Sequence, residues 1–214
     1  MKAIVYYTCN THKVEIDELC RKQLAKIDLP IVCVSLNKDL DFGSIRLKTT
    51  GERSPLTMHK QIVMGLEASQ ADYVFLAEND VLYHPSHFDF TPTRDDKFYF
   101  NINVWKMRWK DGHCVRTDVS QQLSGMCGSK KLLLNFFKTR LVKIETKGFD
   151  RHYEPQDKDV RENYQSEIPN IDIRHDGNVS ISKWSVNDFR NKENAKGWQE
   201  ANEVPGWNIK QIFI

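Results

Sequence analysis

The sequence lacks any block of basic residues. Its 31 Lys and Arg stand against 29 Asp and Glu, for a net charge of only +2. A nucleic-acid-binding module with structural carboxylates is therefore disfavoured, because such proteins carry a basic stripe or tail. The mild basicity still admits an anionic substrate. Cysteine is scarce and unpatterned. Cys9, Cys20, Cys33, Cys114 and Cys127 are odd in number, and no two have CxxC spacing. That argues against a disulfide framework and a structural zinc site, and makes a reducing, cytoplasmic compartment the expectation. No apolar run approaches a membrane span. Met1-Lys2 leads directly into a strand-like run, without the longer apolar core of a signal peptide. Internal repeats and low-complexity segments are absent.

What remains is ordinary soluble-protein composition, 40% hydrophobic and 28% charged over 214 residues. That length fits one large domain with a substantial core. Residues 180–214, polar but carrying Trp184, Trp198 and Trp207, read as a C-terminal tail that wraps it.

The pattern centres on residues 72–85. Tyr73 to Ala77 is a short apolar run of the kind buried on both faces in a parallel sheet. It stops at Glu78-Asn79-Asp80. Ligands bind at the carboxyl ends of strands in open α/β sheets. Two carboxylates two residues apart project to one side if the extended geometry persists. Hard oxygen ligands there suit Mg²⁺ or Mn²⁺ on a diphosphate. A polar turn explains the same three residues, since Asn and Asp bond the nearby backbone.

Ala3 to Tyr7 is the first strand, and Val14 to Ala25 a helix with Ile16, Leu19 and Leu24 near one face. Ile31 to Leu36 is a second buried strand. Strand, helix and strand with short connections make a βαβ unit, hence a right-handed crossover and a parallel sheet. Thr8 and Asn10 after the first strand, and Asn37 after the second, are placed to contact a nucleoside. An ordinary loop fits them equally. Ser54 and Pro55 start a helix that runs to Ser69 and turns Ile62, Val63 and Leu66 inward. Arg53 beside its positive end suits a phosphate, or is a solvated loop residue.

Further on, His84 and His87 read as parts of a packed turn. Phe98 to Val104 alternates as one strand, with Trp105, Met107 and Trp109 continuing it as core before a turn at Lys110-Asp111-Gly112. Gly125 and Gly128 flank a polar loop and allow close approach of the backbone to something small. Lys130 to Arg140 is a helix. Residues 148–167 are polar and long for a connection, a sign of function. Ile171 to Arg174 is a short final strand ending at His175.

The order of these features resembles the nucleotide-sugar-dependent glycosyltransferases of the A fold, family 2-like, over roughly residues 1–180. The resemblance implies a single Rossmann-like α/β domain with a mostly parallel central sheet flanked by helices. It places Glu78-Asn79-Asp80 as the family's acidic motif, usually Asp-x-Asp, with Glu at the first position a departure. Asp80 is then the stronger metal ligand and Glu78 the weaker, and His175 completes the site. Ser124-Gly125-Met126-Cys127-Gly128 matches the loop that contacts donor and acceptor. Glu154, with Asp157 second, matches the carboxylate facing the acceptor.

The implied activity is transfer of a sugar from a nucleotide-diphosphate sugar, with uridine diphosphate the commonest carrier, to a hydroxyl acceptor. The residues leave that acceptor open among a glycan, a protein, a small molecule and a hydroxylated DNA base. They also leave open inversion or retention. A nucleotidyltransferase is the rival on a similar sheet, but its glycine-rich phosphate loop is missing from Thr8-Cys9-Asn10-Thr11-His12.

Overall fold

A computed structural model describes residues 1–150, 152–175 and 196–212. The chain is built on two sheets. The larger takes β1 (Lys2–Thr8), β2 (Ile31–Leu36), β3 (Ile45–Thr49), β4 (Tyr73–Glu78), β6 (Phe98–Asn101), β9 (Met126–Ser129) and β10 (Arg161–Tyr164). Its spatial order is β10-β6-β9-β4-β1-β2-β3. Every pairing in it is parallel except the two made by β9. The smaller takes β5 (Val81–Leu82), β7 (Val104–Arg108), β8 (Cys114–Arg116), β11 (Asn170–Arg174) and β12 (Gln199–Ala201), ordered β12-β8-β7-β11-β5.

The apolar runs read as buried strands are buried on both faces, and the alternation sorts them between two cores. Ala3, Val5 and Tyr7 face the helices α2 (Pro55–Ala68) and α3 (Lys130–Lys147), with Val74 and Leu76 beside them. Ile4, Tyr6, Phe75 and Ala77 face the opposite way, onto Tyr83 and Phe88. A third core lies between α1 (Val14–Leu24) and the smaller sheet, with Ile16 and Cys20 on Leu82, Met107 and Ile171. Ile209 of the short α4 (Ile209–Ile212) joins it. Helix α2 starts as expected, with Ser54 accepting from the Thr57 N–H at 3.1 Å and Pro55 at the first position. It lies very close to the sheet. A Cβ on Gly65 would sit 2.5 Å from Val5 Cγ1 and 3.1 Å from Val34 Cγ2, so only glycine fits.

Three expectations change. Phe98 to Val104 is not one strand but ends of two, β6 and β7, in different sheets. The break falls at residues 102–103, where the Ile102 N–H still donates to Tyr164 O at 2.9 Å and Asn103 O accepts from the Asn170 N–H at 3.0 Å, and side chains brace the crossing. Asn101 Oδ1 accepts from the Asn103 N–H at 2.9 Å, and Asn103 Nδ2 donates to Ser166 O at 2.8 Å. The polar loop at 121–128 contains a 3-10 turn (Leu123–Gly125) followed by β9. The helix after it runs seven residues beyond Arg140, to Lys147, before Gly148 at φ 81° ends it. Of the tail, residues 180–195 lie outside the described residues. Within 196–212, β12 pairs with β8, and Trp207 Nε1 donates to Pro169 O at 2.7 Å.

Candidate active site

A cleft of about 540 Å³ opens where the two sheets meet. Its lining draws on the end of β1 (Tyr7, Cys9, His12), the start of α2 (Arg53, Ser54, Pro55, Thr57) and the turn after β4 (Glu78, Asn79, Asp80). The smaller sheet adds Lys106, Asp172 and Arg174. The 120–124 segment adds Gln122 and Ser124, and the 153–154 segment adds Tyr153 and Glu154. These positions follow from the topology, because β1, β4 and β11 present their carboxyl ends here and β7 adds Lys106 from its middle.

Three groups converge beside this cleft. One ligand atom each from His12, Asp80 and His175 lies within 4.8 Å of the others. His175 Nε2 is 3.8 Å from Asp80 Oδ2, and the two imidazole rings meet edge to face at 4.4 Å between centroids. His12 leaves β1, Asp80 sits between β4 and β5, and His175 follows β11. Asn79 steadies the group. Its Nδ2 donates to Asp17 Oδ1 at 2.9 Å and lies 2.9 Å from His12 Nδ1. The Asp80 main chain is held too, its O accepting from the Ile173 N–H at 2.8 Å. Two imidazole nitrogens and one carboxylate fit a divalent cation that accepts nitrogen, such as Mn²⁺. They suit Mg²⁺ less well, because it favours an all-oxygen octahedron.

The electrostatics divide the two acidic residues. Burial pushes the Asp80 carboxyl up, but the hydrogen bond from His175 and the charges of His12, His175 and Arg174 outweigh it, so its pKa is lowered. Glu78 goes the other way. Burial and then the nearby Asp80 charge raise it, against the hydrogen bond that Tyr7 OH donates to Oε1 at 2.7 Å. Glu78 is thus part of the cleft but not of the three-ligand group, where His12 stands instead. Burial also raises the Glu154 carboxyl, with backbone hydrogen bonds opposing it.

Several expected site residues support the cleft instead of lining it. Thr8 Oγ1 accepts from the Asn10 N–H at 3.1 Å, and Thr8 itself is buried. Asn10, at φ 55°, ties the loop after β1 to the end of β2 by donating to Ser35 Oγ at 2.7 Å and Leu36 O at 2.8 Å. Asn37, at φ 61°, exchanges two hydrogen bonds with the Gly51 main chain. Both left-handed positions explain why Asn stands there. Gly125 is small for a packing reason, since a Cβ would lie 2.9 Å from Asn101 O. Asp157 caps a 3-10 turn through the Asp159 N–H at 2.9 Å and is not in the cleft lining. Arg53, Asn79 and Glu154 do reach it.

Sequence reasoning passed over His12, Cys9, Lys106, Asp172 and Arg174. His12 carried a signal: a histidine just past the carboxyl end of the first strand. Cys9 Sγ is 3.7 Å from His12 Nε2. Burial raises its thiol, but hydrogen bonds to His12 and Thr11 bring the pKa down to about 7.

No family model and no curated protein matches the chain. Among solved structures, the inositol-1-phosphate CTP transferase from T. maritima is similar at 10% identity and TM-score 0.46, covering 86% of this chain and 94% of that one. HddC from Yersinia pseudotuberculosis is similar at 11% and 0.48, covering 80% and 92%. The apo-form glycosyltransferase GlyE in Streptococcus pneumoniae TIGR4 is similar at 12% and 0.49, covering 77% of this chain and 45% of GlyE. Likeness at this level carries no argument about chemistry. No helix among the described residues is long and apolar enough to cross a membrane.

Proposed function

We propose that the chain is a metal-dependent glycosyltransferase that takes its sugar from a nucleotide-diphosphate sugar, with uridine diphosphate as the carrier, and passes it to a hydroxyl acceptor. The observation that carries this reading is the His12, Asp80 and His175 group beside a cleft that also holds Arg53 and the start of α2. Cationic and N–H groups lining the same cleft suit a diphosphate, which supports this reading. A divalent cation held by His12, Asp80 and His175 would neutralise charge on the departing diphosphate. Arg53 and the first turn of α2 add fixed positive potential to the same oxygens. Glu154, its proton affinity raised by burial, is suited to take the acceptor's proton if the reaction inverts. The absence of glycine between Thr8 and Lys13 favours glycosyl over nucleotidyl transfer. The acceptor is left open among a glycan, a protein, a small molecule and a hydroxylated DNA base.

Calorimetric titration of uridine diphosphate, with and without Mn²⁺, tests this in wild type and in Asp80→Ala. Metal-dependent binding that disappears in the variant is expected. Equal binding by the variant would remove the metal assignment, and failure of every nucleoside diphosphate would remove the reading.

A further inference from the structure

The cleft contains a second buried polar group, distinct from the three candidate metal ligands. Lys106 and Asp172 are directly paired residues on the parallel strands β7 and β11. Lys106 Nζ donates to Asp172 Oδ2 and to Gln122 Oε1. Gln122 Nε2 in turn donates to Ser124 Oγ at 2.5 Å and to Asp172 Oδ2 at 3.3 Å. Lys106 and Asp172 are only 4% and 7% exposed, yet all four residues line the cleft. A buried ion pair adds little net stability over an apolar pair of the same size. Its position on two rigid strands beside an open cleft suits recognition instead.

The decisive atom is Asp172 Oδ1. It is buried and accepts no hydrogen bond among the described residues. The Arg174 Nη1 cation is 3.6 Å away, beyond hydrogen-bond distance. Its carboxylate partner Oδ2 is fixed by Lys106 and Gln122, so Oδ1 cannot turn away. An unsatisfied carboxylate oxygen on a residue that lines a cleft calls for a donor that a ligand can bring. Asp172 also lies opposite Val81, the residue after Asp80, in the β5–β11 pairing. Asp172 and Asp80 both line the cleft, so the unsatisfied acceptor shares it with the group assigned to the diphosphate.

We propose that Asp172, oriented by Lys106 and Gln122, accepts a hydrogen bond from a hydroxyl of the donor's sugar and so sets which sugar is carried. This rests on the nucleotide-sugar reading above. The chemistry required is a neutral polyol with an O–H one diphosphate away from the nucleoside. Gln122 and Ser124 offer amide and hydroxyl groups to its neighbours.

The test is calorimetry with Mn²⁺ present, comparing uridine diphosphate with UDP-glucose, UDP-galactose and UDP-xylose. At least one sugar nucleotide should bind wild type more tightly than the bare diphosphate. In Asp172→Asn that advantage should fall by about 10- to 100-fold, as expected for a hydrogen bond to a charged group. Affinity for uridine diphosphate itself should stay within twofold. The double variant Lys106→Met/Asp172→Asn, which removes both charges of the Lys106–Asp172 pair, should behave likewise if the single variant folds poorly. Equal loss for the bare diphosphate and its sugar forms would overturn the proposal in favour of a structural role. So would an unchanged sugar advantage, or a wild type that gains nothing from any of the sugars. If wild type binds no nucleotide at all, the functional reading fails first and this one falls with it.

Discussion

Two buried histidine centres in this protein have opposite characters. His87 is fully buried, and its Nδ1 lies 2.9 Å from Asn101 Nδ2 and 3.1 Å from Asn170 Nδ2. Backbone N–H groups fix both amides. Asn101 Oδ1 accepts from Asn103 and Ser166, and Asn170 Oδ1 from His84. Both amides must then present N–H to Nδ1, which makes it an acceptor and the ring neutral. Burial holds its pKa down to about 3. The Phe75, Tyr83 and Phe88 rings surround it. At the other centre His12 and His175 stand beside a carboxylate, and His12 faces the cleft. Burial opposes a charge on His12, but the hydrogen bond to Cys9 and the Asp80 and Asp17 charges prevail, so its pKa is raised. Burial alone therefore does not separate a structural histidine from a functional one. What separates them is the surroundings: His87 meets amide donors and aromatic rings, whereas His12 and His175 stand at a carboxylate beside the cleft.

Variants at the two centres should move different readouts. Asp80→Ala is expected to have the largest effect on binding, lowering Mn²⁺-dependent nucleotide affinity of the folded protein at least 100-fold. A variant that loses stability and keeps binding would invert the contrast. His87→Ala should lower stability instead. Removing the ring strands two buried amides and opens a cavity, costing about 3 kcal/mol in denaturant unfolding, with metal binding by the folded fraction unchanged.

The pH dependence sharpens this. A histidine whose folded pKa is depressed contributes stability that is complete above its unfolded value, near 6.5, and lost as pH falls toward the folded value. Between pH 6.5 and about 3, His87 should therefore give stability a slope of up to about 1.4 kcal/mol per unit. His87→Gln should flatten that part of the curve relative to wild type, and parallel curves would show that His87 is not buried neutral. The smallest expected effect is that of Asn10→Ala. It should cost about 1 kcal/mol by freeing the loop after β1, and shift nucleotide affinity less than threefold. A much larger affinity loss would return Asn10 to the cleft.

The sequence carried β1, β2 and β4 well, because they are buried on both faces and announce themselves as continuous apolar runs, whereas β9 and β10 of the same sheet lay in stretches read as polar. The smaller sheet was harder to read. Its strands are short, and one, Val104–Arg108, continues a run begun in the other sheet. The hydrophobic alternation does not register the change of sheet, where Ile102 still bonds β10 and Asn103 already bonds β11, with the Asn101 and Asn103 side chains bracing the crossing. In the site, Glu78, Asp80 and His175 were legible by their places after strands. His12 has the same kind of place, just after the first strand, but its approach to Asp80 depends on the pairing of β1 with β4. Lys106 and Asp172 stood inside strands that read as core, where charge pairing across a register is invisible in one dimension. Asn10, Asn37 and Gly125 show the reverse error. Residue types common in binding loops here answer to backbone geometry.

The chain passes from one sheet to the other in two places where no loop intervenes, at residues 79–80 between β4 and β5, and at 102–103 between β6 and β7. Such short crossings give neither sheet room to detach while the other stays folded. The two should melt as a single cooperative unit, and hydrogen exchange in the core strands of both should follow one global opening event. A ligand gripping the cleft from either side would then slow that opening throughout the protein, not only around itself.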